Sequence, residues 1–153
     1  MGLDMFLTKE TYIGANYAHN EVKGTINLEV GGETVPIRLD RVVSIEESIG
    51  YWRKANQIHN WFVQNVQDGE DDCDKHYVEL DKLKQLVEVC KQVAQNPNLA
   101  EELLPTCEGF FFGSSEYDEW YFMDIHNTIN MLEPVIEEME QSKHADIYYH
   151  SSW

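Results

Sequence analysis

A chain of 153 residues, 42% of them apolar and 12% aromatic, is long enough for one domain with a sizeable core and too short for two. Eleven Lys and Arg stand against 28 Asp and Glu, a formal charge of −17 that disfavours direct nucleic-acid binding through phosphate neutralisation. No apolar run approaches the roughly 20 residues of a membrane-spanning helix, and the opening MGLDMFLTKE lacks the basic-then-apolar order of a secretion signal. The odd, widely spaced Cys73, Cys90 and Cys107 make neither a CxxC pair nor a disulfide framework, so the residues point to reduced thiols in a cytoplasm, with no membrane contact and no cofactor.

LDMFLTKETYIG alternates and is rich in aromatic and β-branched residues, which predicts a strand near the N-terminus. ANYAHNEVKG reads as a polar loop. GTINLEV and ETVPIRL, two alternating runs around Gly31 and Gly32, predict a hairpin with a tight turn, with Pro36 at an edge where its missing N–H is harmless. DRVVSI suggests a further short strand, and EESIGYWRKANQIHNWFVQNV has helical periodicity. The acidic DGEDDCD is a solvated connection. HYVELDKLKQLVEVCKQVAQ is an amphipathic helix with Val78, Leu83, Leu86, Val87, Cys90 and Val93 on one side, stopped at Asn96 and Pro97. A short helix over NLAEELLP follows, then TCEGFFFGSS as strand or loop. EYDEWYFMDIHNTINMLEPVIEEMEQ is the last long helix, with Phe122, Ile125, Ile129, Leu132, Ile136 and Met139 as its core stripe and a kink at Pro134. ADIYYHSSW has strand chemistry and needs a sheet to hide Ile147. The expected class is a single α+β domain: a mostly antiparallel sheet that includes both terminal strands, with three main helices packed against it.

The densest chemistry lies in YWRKANQIHNWF. On a helix at about 100° per residue, Tyr51, Ala55, Ile58, Phe62 and Val66 form the core sector, and Trp52, Arg53, Asn56, His59 and Asn60 fall together beside it. Arg53 would then offer a fork for phosphate or carboxylate, Trp52 a stacking surface, the asparagines hydrogen bonds and His59 a proton or a hydrogen bond. The competing reading makes Trp52 a core-rim aromatic, pairs Arg53 with an acid and makes His59 a hydrogen-bonded interior histidine. Trp61 falls on the outer side, as a homodimer contact or a residue buried within the monomer.

A second candidate wall is GFFFGSSEYDEWY. Ser114 and Ser115 lead into the last helix, Ser115 to Asp118 resembles a capping box, and Tyr117, Tyr121 and Asp124 follow at helical spacing. Capping needs no ligand, and the acids Glu116, Asp118 and Glu119 oppose a phosphate there. Walker, GxSxG, HExxH and Rossmann signatures are all missing, and CDKH is a lone CxxH, so neither a catalytic residue nor a metal ligand is assigned. A hydrolase pairing His59 with Asp124 stays open.

MGLDMFL, YWRKANQIHNWF, LPTCEGFFFGSSEYDEWY and YYHSSW together resemble a family of small proteins from tailed phages and prophages that open with MGLDM and an aromatic, and the resemblance covers most of the chain. It supplies no reaction and no site residues. It implies a genome context: an accessory phage protein in the bacterial host cytoplasm, of a sort that often counters host defence. The resulting expectation is a protein that binds, and by binding sequesters, a small anionic, nucleotide-like ligand through Trp52, Arg53, Asn56, His59, Asn60, Ser114, Ser115, Tyr117, Tyr121 and Asp124. Two alternatives stand beside it: an acidic inhibitor of a basic surface on a host or defence protein, using Asp71, Asp72, Glu137 and Glu138, and a small hydrolase of the same ligand.

Overall fold

In a computed structural model the described residues are 2–20 and 22–153. They form an α+β domain built on a four-stranded antiparallel sheet. In chain order the elements are β1 (Asp4–Tyr12), β2 (Thr25–Val30), β3 (Glu33–Arg38), β4 (Ser44–Arg53), α1 (Asn56–Asn65), β5 (His76–Val78), α2 (Leu80–Gln95), α3 (Ala100–Leu103), α4 (Glu119–Gln141) and β6 (Ala145–Ser152). The sheet order is β4-β1-β6-β5, so both terminal strands occupy the middle. That placement hides the alternating apolar side chains of β6, whose Ile147, Tyr149 and Ser151 are buried. The polar loop after β1 is also present, its Glu21 lying outside the described residues.

The inner face of the sheet follows from register. Met5 pairs with Trp52 and Ser151, Leu7 with Gly50 and Tyr149, and Val78 with Ile147. Helices α1, α2 and α4 close over this face, with Phe62 of α1 stacked on Tyr149 at 4.0 Å and 7°. Gly50 makes the approach of α4 possible, because a Cβ there would sit 2.9 Å from Met131 Sδ and 3.1 Å from Leu7 Cβ. The expected α2 stripe is buried as read, except that Val78 belongs to β5 and not to the helix. Asn96 and Pro97 end α2, and α4 continues across Pro134 with Tyr121, Ile125, Thr128, Leu132, Val135 and Met139 buried. Phe122, Ile129 and Ile136 are half-buried against that core.

The main correction concerns residues 44–55. Helical periodicity over this stretch gives way to a ten-residue strand, β4, and the helix begins only at Asn56. Two features conceal the boundary. Opposite the Leu7/Thr8 step β4 carries an extra residue, Ile49, and this bulge breaks the strand's two-residue alternation. At the helix start, Ala55 occupies the N-cap with no side-chain hydrogen bond, so the usual sequence marker is missing. Lys54 links strand to helix with φ +58°, a left-handed backbone unusual for a residue with a side chain.

Candidate functional site

With the strand in place, YWRKANQIHNWF no longer presents one helical face. Trp52 points inward from β4, is buried, packs edge-on against Phe62 and donates its indole N–H to Thr128 Oγ1 at 2.9 Å. His59 is fully buried on α1. Its Nδ1 shares a 2.7 Å hydrogen bond with the Tyr149 hydroxyl, and Asp71 Oδ2 lies 3.1 Å from Nε2 without the alignment of a hydrogen bond. Burial, with Asp71 nearby, pushes the Tyr149 phenol well above its ordinary range, so this tyrosine stays protonated. Trp52 and His59 are therefore interior residues, and the carboxylate beside His59 is Asp71 rather than Asp124. Trp61 is buried within the monomer as well.

Asn56 is buried too, but it organises the neighbouring loop. Its Nδ2 donates to Phe112 O at 3.1 Å and Ser114 O at 2.8 Å, and its Oδ1 accepts from the Cys107 amide at 3.1 Å. Asn60 donates to Pro105 O and lines a separate cavity of about 130 Å³. Ser115 is exposed, its carbonyl accepting from Thr106 Oγ1, and does not cap the last helix. Asp118 does so instead, accepting from the Trp120 and Tyr121 amides at 3.0 and 3.1 Å, which moves the helix start past the expected capping box. Tyr117 packs against Tyr121 and accepts from the Thr106 amide.

Four of the expected residues converge. Arg53, Ser114, Tyr121 and Asp124 line one pocket of about 300 Å³ between the end of β4 and the first turns of α4. Lys54, Gln57, Gly113, Glu116, Asp118, Trp120 and Met123 complete it. Gly113 is needed there: its φ is +92°, and a Cβ would lie 3.1 Å from Lys54 Cβ. The Lys54 side chain passes on between Gly113 and Gly2, where a Cβ would come within 3.3 Å of Lys54 Cε. Among the described residues neither Arg53 nor Lys54 is ion-paired, in a chain with 28 acids. Opposite them Asp124 is half-buried, and burial raises its carboxyl to about 6, against a lowering by the neighbouring Gln57 amide. Trp120, 62% exposed, stands at the rim.

Lys54, Gln57 and Trp120 escaped the sequence reading. The useful signal was the adjacent Arg53-Lys54 pair, which a strand ending at Arg53 delivers to a sheet corner. A wider groove of about 590 Å³ between α2 and α4 is a weaker candidate, because its cations already pair with acids, Lys84 with Glu140 and Lys91 with Glu133. Among the described residues no group of His, Cys, Asp and Glu is arranged to hold a metal ion, and no helix is long and apolar enough to cross a membrane. No protein-family model matches the chain, and no curated protein or solved structure matches it.

Proposed function

We propose that the pocket between β4 and α4 binds a small ligand carrying one anionic group and a ring with hydrogen-bond donors, a nucleotide-like molecule. The observation that carries this reading is the convergence on one pocket of about 300 Å³ of the half-buried Asp124 with Arg53 and Lys54, two cations that have no ionic partner among the described residues. That volume lies at the small end of ligand pockets, which run from about 300 to 1,000 Å³. Arg53 and Lys54 suit a phosphate or carboxylate, Asp124 and Gln57 suit donors on a base or ribose, and Trp120 offers a stacking surface at the rim. The acids Glu116 and Asp124 set a limit on ligand charge. They disfavour a polyphosphate and fit a ligand with a single anionic group.

The residues in the pocket serve binding better than turnover. Among the described residues neither the Ser114 nor the Tyr121 hydroxyl of the pocket is hydrogen-bonded to a side-chain base, and the buried His59 network is part of the core. The inhibitor reading, with a host or defence protein as partner, loses support from internal contacts of three of its four acids. Asp71 faces His59 and accepts from Trp153, Asp72 accepts from His76, and Glu138 pairs with Lys9. A role in sequestering a signal against host defence, within a bacterial cytoplasm, rests on the phage-protein resemblance alone.

The test is thermal unfolding with mono-, di- and cyclic nucleotides and ADP-ribose derivatives. A bound ligand at about 100 times its Kd should stabilise the fold by roughly 2.7 kcal/mol. Arg53→Ala should weaken that binding by about 1.5–3 kcal/mol, the range for a charged hydrogen bond, and leave the unliganded melting temperature unchanged because Arg53 is exposed. A panel without any shift, or a shift that Arg53→Ala leaves intact, removes the reading.

A further inference from the structure

The β2–β3 ribbon is built like one half of a sandwich with its other half missing. Register puts Ile26 opposite Ile37, Leu28 opposite Val35 and Val30 opposite Glu33, so five apolar side chains share one face. Thr25, Asn27, Glu29, Thr34, Pro36 and Arg38 form the other, where Thr34 donates to Glu29 across the strands. The polar face belongs in water, yet the apolar face is in water too: Ile26, Leu28, Val30 and Val35 are 38–60% exposed. A two-stranded ribbon alone is marginally stable, and ordinarily its apolar face packs on something.

We infer that this face is where a second copy of the chain docks, ribbon on ribbon, about a two-fold axis. Three observations select that occupant. The strip is nearly all apolar and self-complementary, as an isologous interface requires. Charge points the same way, because copies at −17 repel one another except where the surface is neutral. Over residues 22–43 Lys23, Arg38 and Arg41 balance Glu29, Glu33 and Asp40. A basic partner would be drawn to the acidic body of the protein instead of this neutral strip. Strand-to-strand addition at the β3 edge is blunted as well. The Gly31-Gly32 turn, with φ +59° and +82°, puts Pro36 at a position whose N–H would point outward from the ribbon, and Pro has none. The apolar face is the surface assigned to the second copy. Two six-residue strands offer well under the roughly 800 Å² per partner of a standard interface, so the dimer is a weak one.

Sedimentation velocity over a concentration series tests this. Wild type should pass from monomer to dimer, and Leu28→Glu and Val35→Glu should each raise the dimer dissociation constant at least about tenfold, while circular dichroism and the melting temperature of the monomer stay unchanged. Asn27→Asp, on the polar face, should leave the dimer intact. A wild-type chain that remains monomeric at millimolar concentration overturns the assignment and leaves the face for a different occupant. A dimer that survives Leu28→Glu and Val35→Glu overturns it too, because its interface lies elsewhere.

Discussion

Strands β2 and β6 have the same grammar of alternating apolar and polar residues, yet every residue of β2 is exposed, whereas Ile147, Tyr149 and Ser151 of β6 are buried. Both strands sort their side chains into two faces, since that is a property of the extended backbone. Burial is a property of the partner layer. Under β6 lie α1 and the core around Phe62, and under β2 no described residue closes the face. Alternation therefore states which side chains seek cover, and only the tertiary arrangement states whether they find it.

The sharpest way to break that contrast is a matched pair of truncations. Phe62→Ala, which empties the space stacked on Tyr149, should cost about 3–5 kcal/mol in denaturant unfolding. Leu28→Ala should stay within about 0.5 kcal/mol, as for other surface positions. If the two losses come out alike, the ribbon is part of the body's core in solution and the contrast between the regions fails.

A smaller effect tests the polar part of the same core. Tyr149→Phe removes the hydroxyl that meets His59 Nδ1 and leaves a buried ring nitrogen without its partner, at a cost of about 1–3 kcal/mol. The reading that His59 is a structural residue stands or falls on this loss.

Asp124 connects stability to the pocket. Its folded-state value of about 6 is above the ordinary 3.8, so the folded chain holds an extra proton between these values. The Asp124 contribution to stability should accordingly fall as pH rises through that window and level off above it. Asp124→Asn removes the cost of ionising a half-buried carboxyl and should be more stable than wild type by about 1–2 kcal/mol at about pH 8, with the gain shrinking below about pH 4. An equal gain at both ends of the range would mean that the Asp124 charge is not its cause.

The smallest effect is kinetic and separates exposed from buried thiols. Cys73 is exposed, burial pushes Cys107 up to about 11 and Cys90 up to about 12, so a thiol reagent should label them in that order, with Cys90 modified only on unfolding. Rapid labelling of Cys90 in the folded protein would show α2 opening away from the core.

Much of this fold was legible because local patterns were strong and uninterrupted. β1, the Gly31-Gly32 hairpin, the α2 stripe with its stop at Pro97, and the need of residues 145–152 for a sheet all follow from alternation, helical spacing and turn chemistry. β5 was hidden for the opposite reason: three residues are too few to show a period. The bulge at Ile49 and the capless start at Ala55 hid the end of β4, and with it the geometry of the candidate site. Arg53, Ser114, Tyr121 and Asp124 were recognisable as ligand-binding residue types, but the wheel that joined Trp52 and His59 to them required the helix to begin before Asn56, where the chain is strand.

The amino-acid sequence alone determined the α+β class, the net charge of −17, the strand at each end and the two apolar helical stripes, since each follows from composition or from a period carried by one segment. Tertiary structure decided the rest: that Trp52 and His59 face inward, that Arg53 and Lys54 meet Asp124 across one pocket, and that the ribbon's apolar side is left open. These are contacts between segments remote in the chain. They depend on sheet order and on a one-residue bulge, and no local period records either.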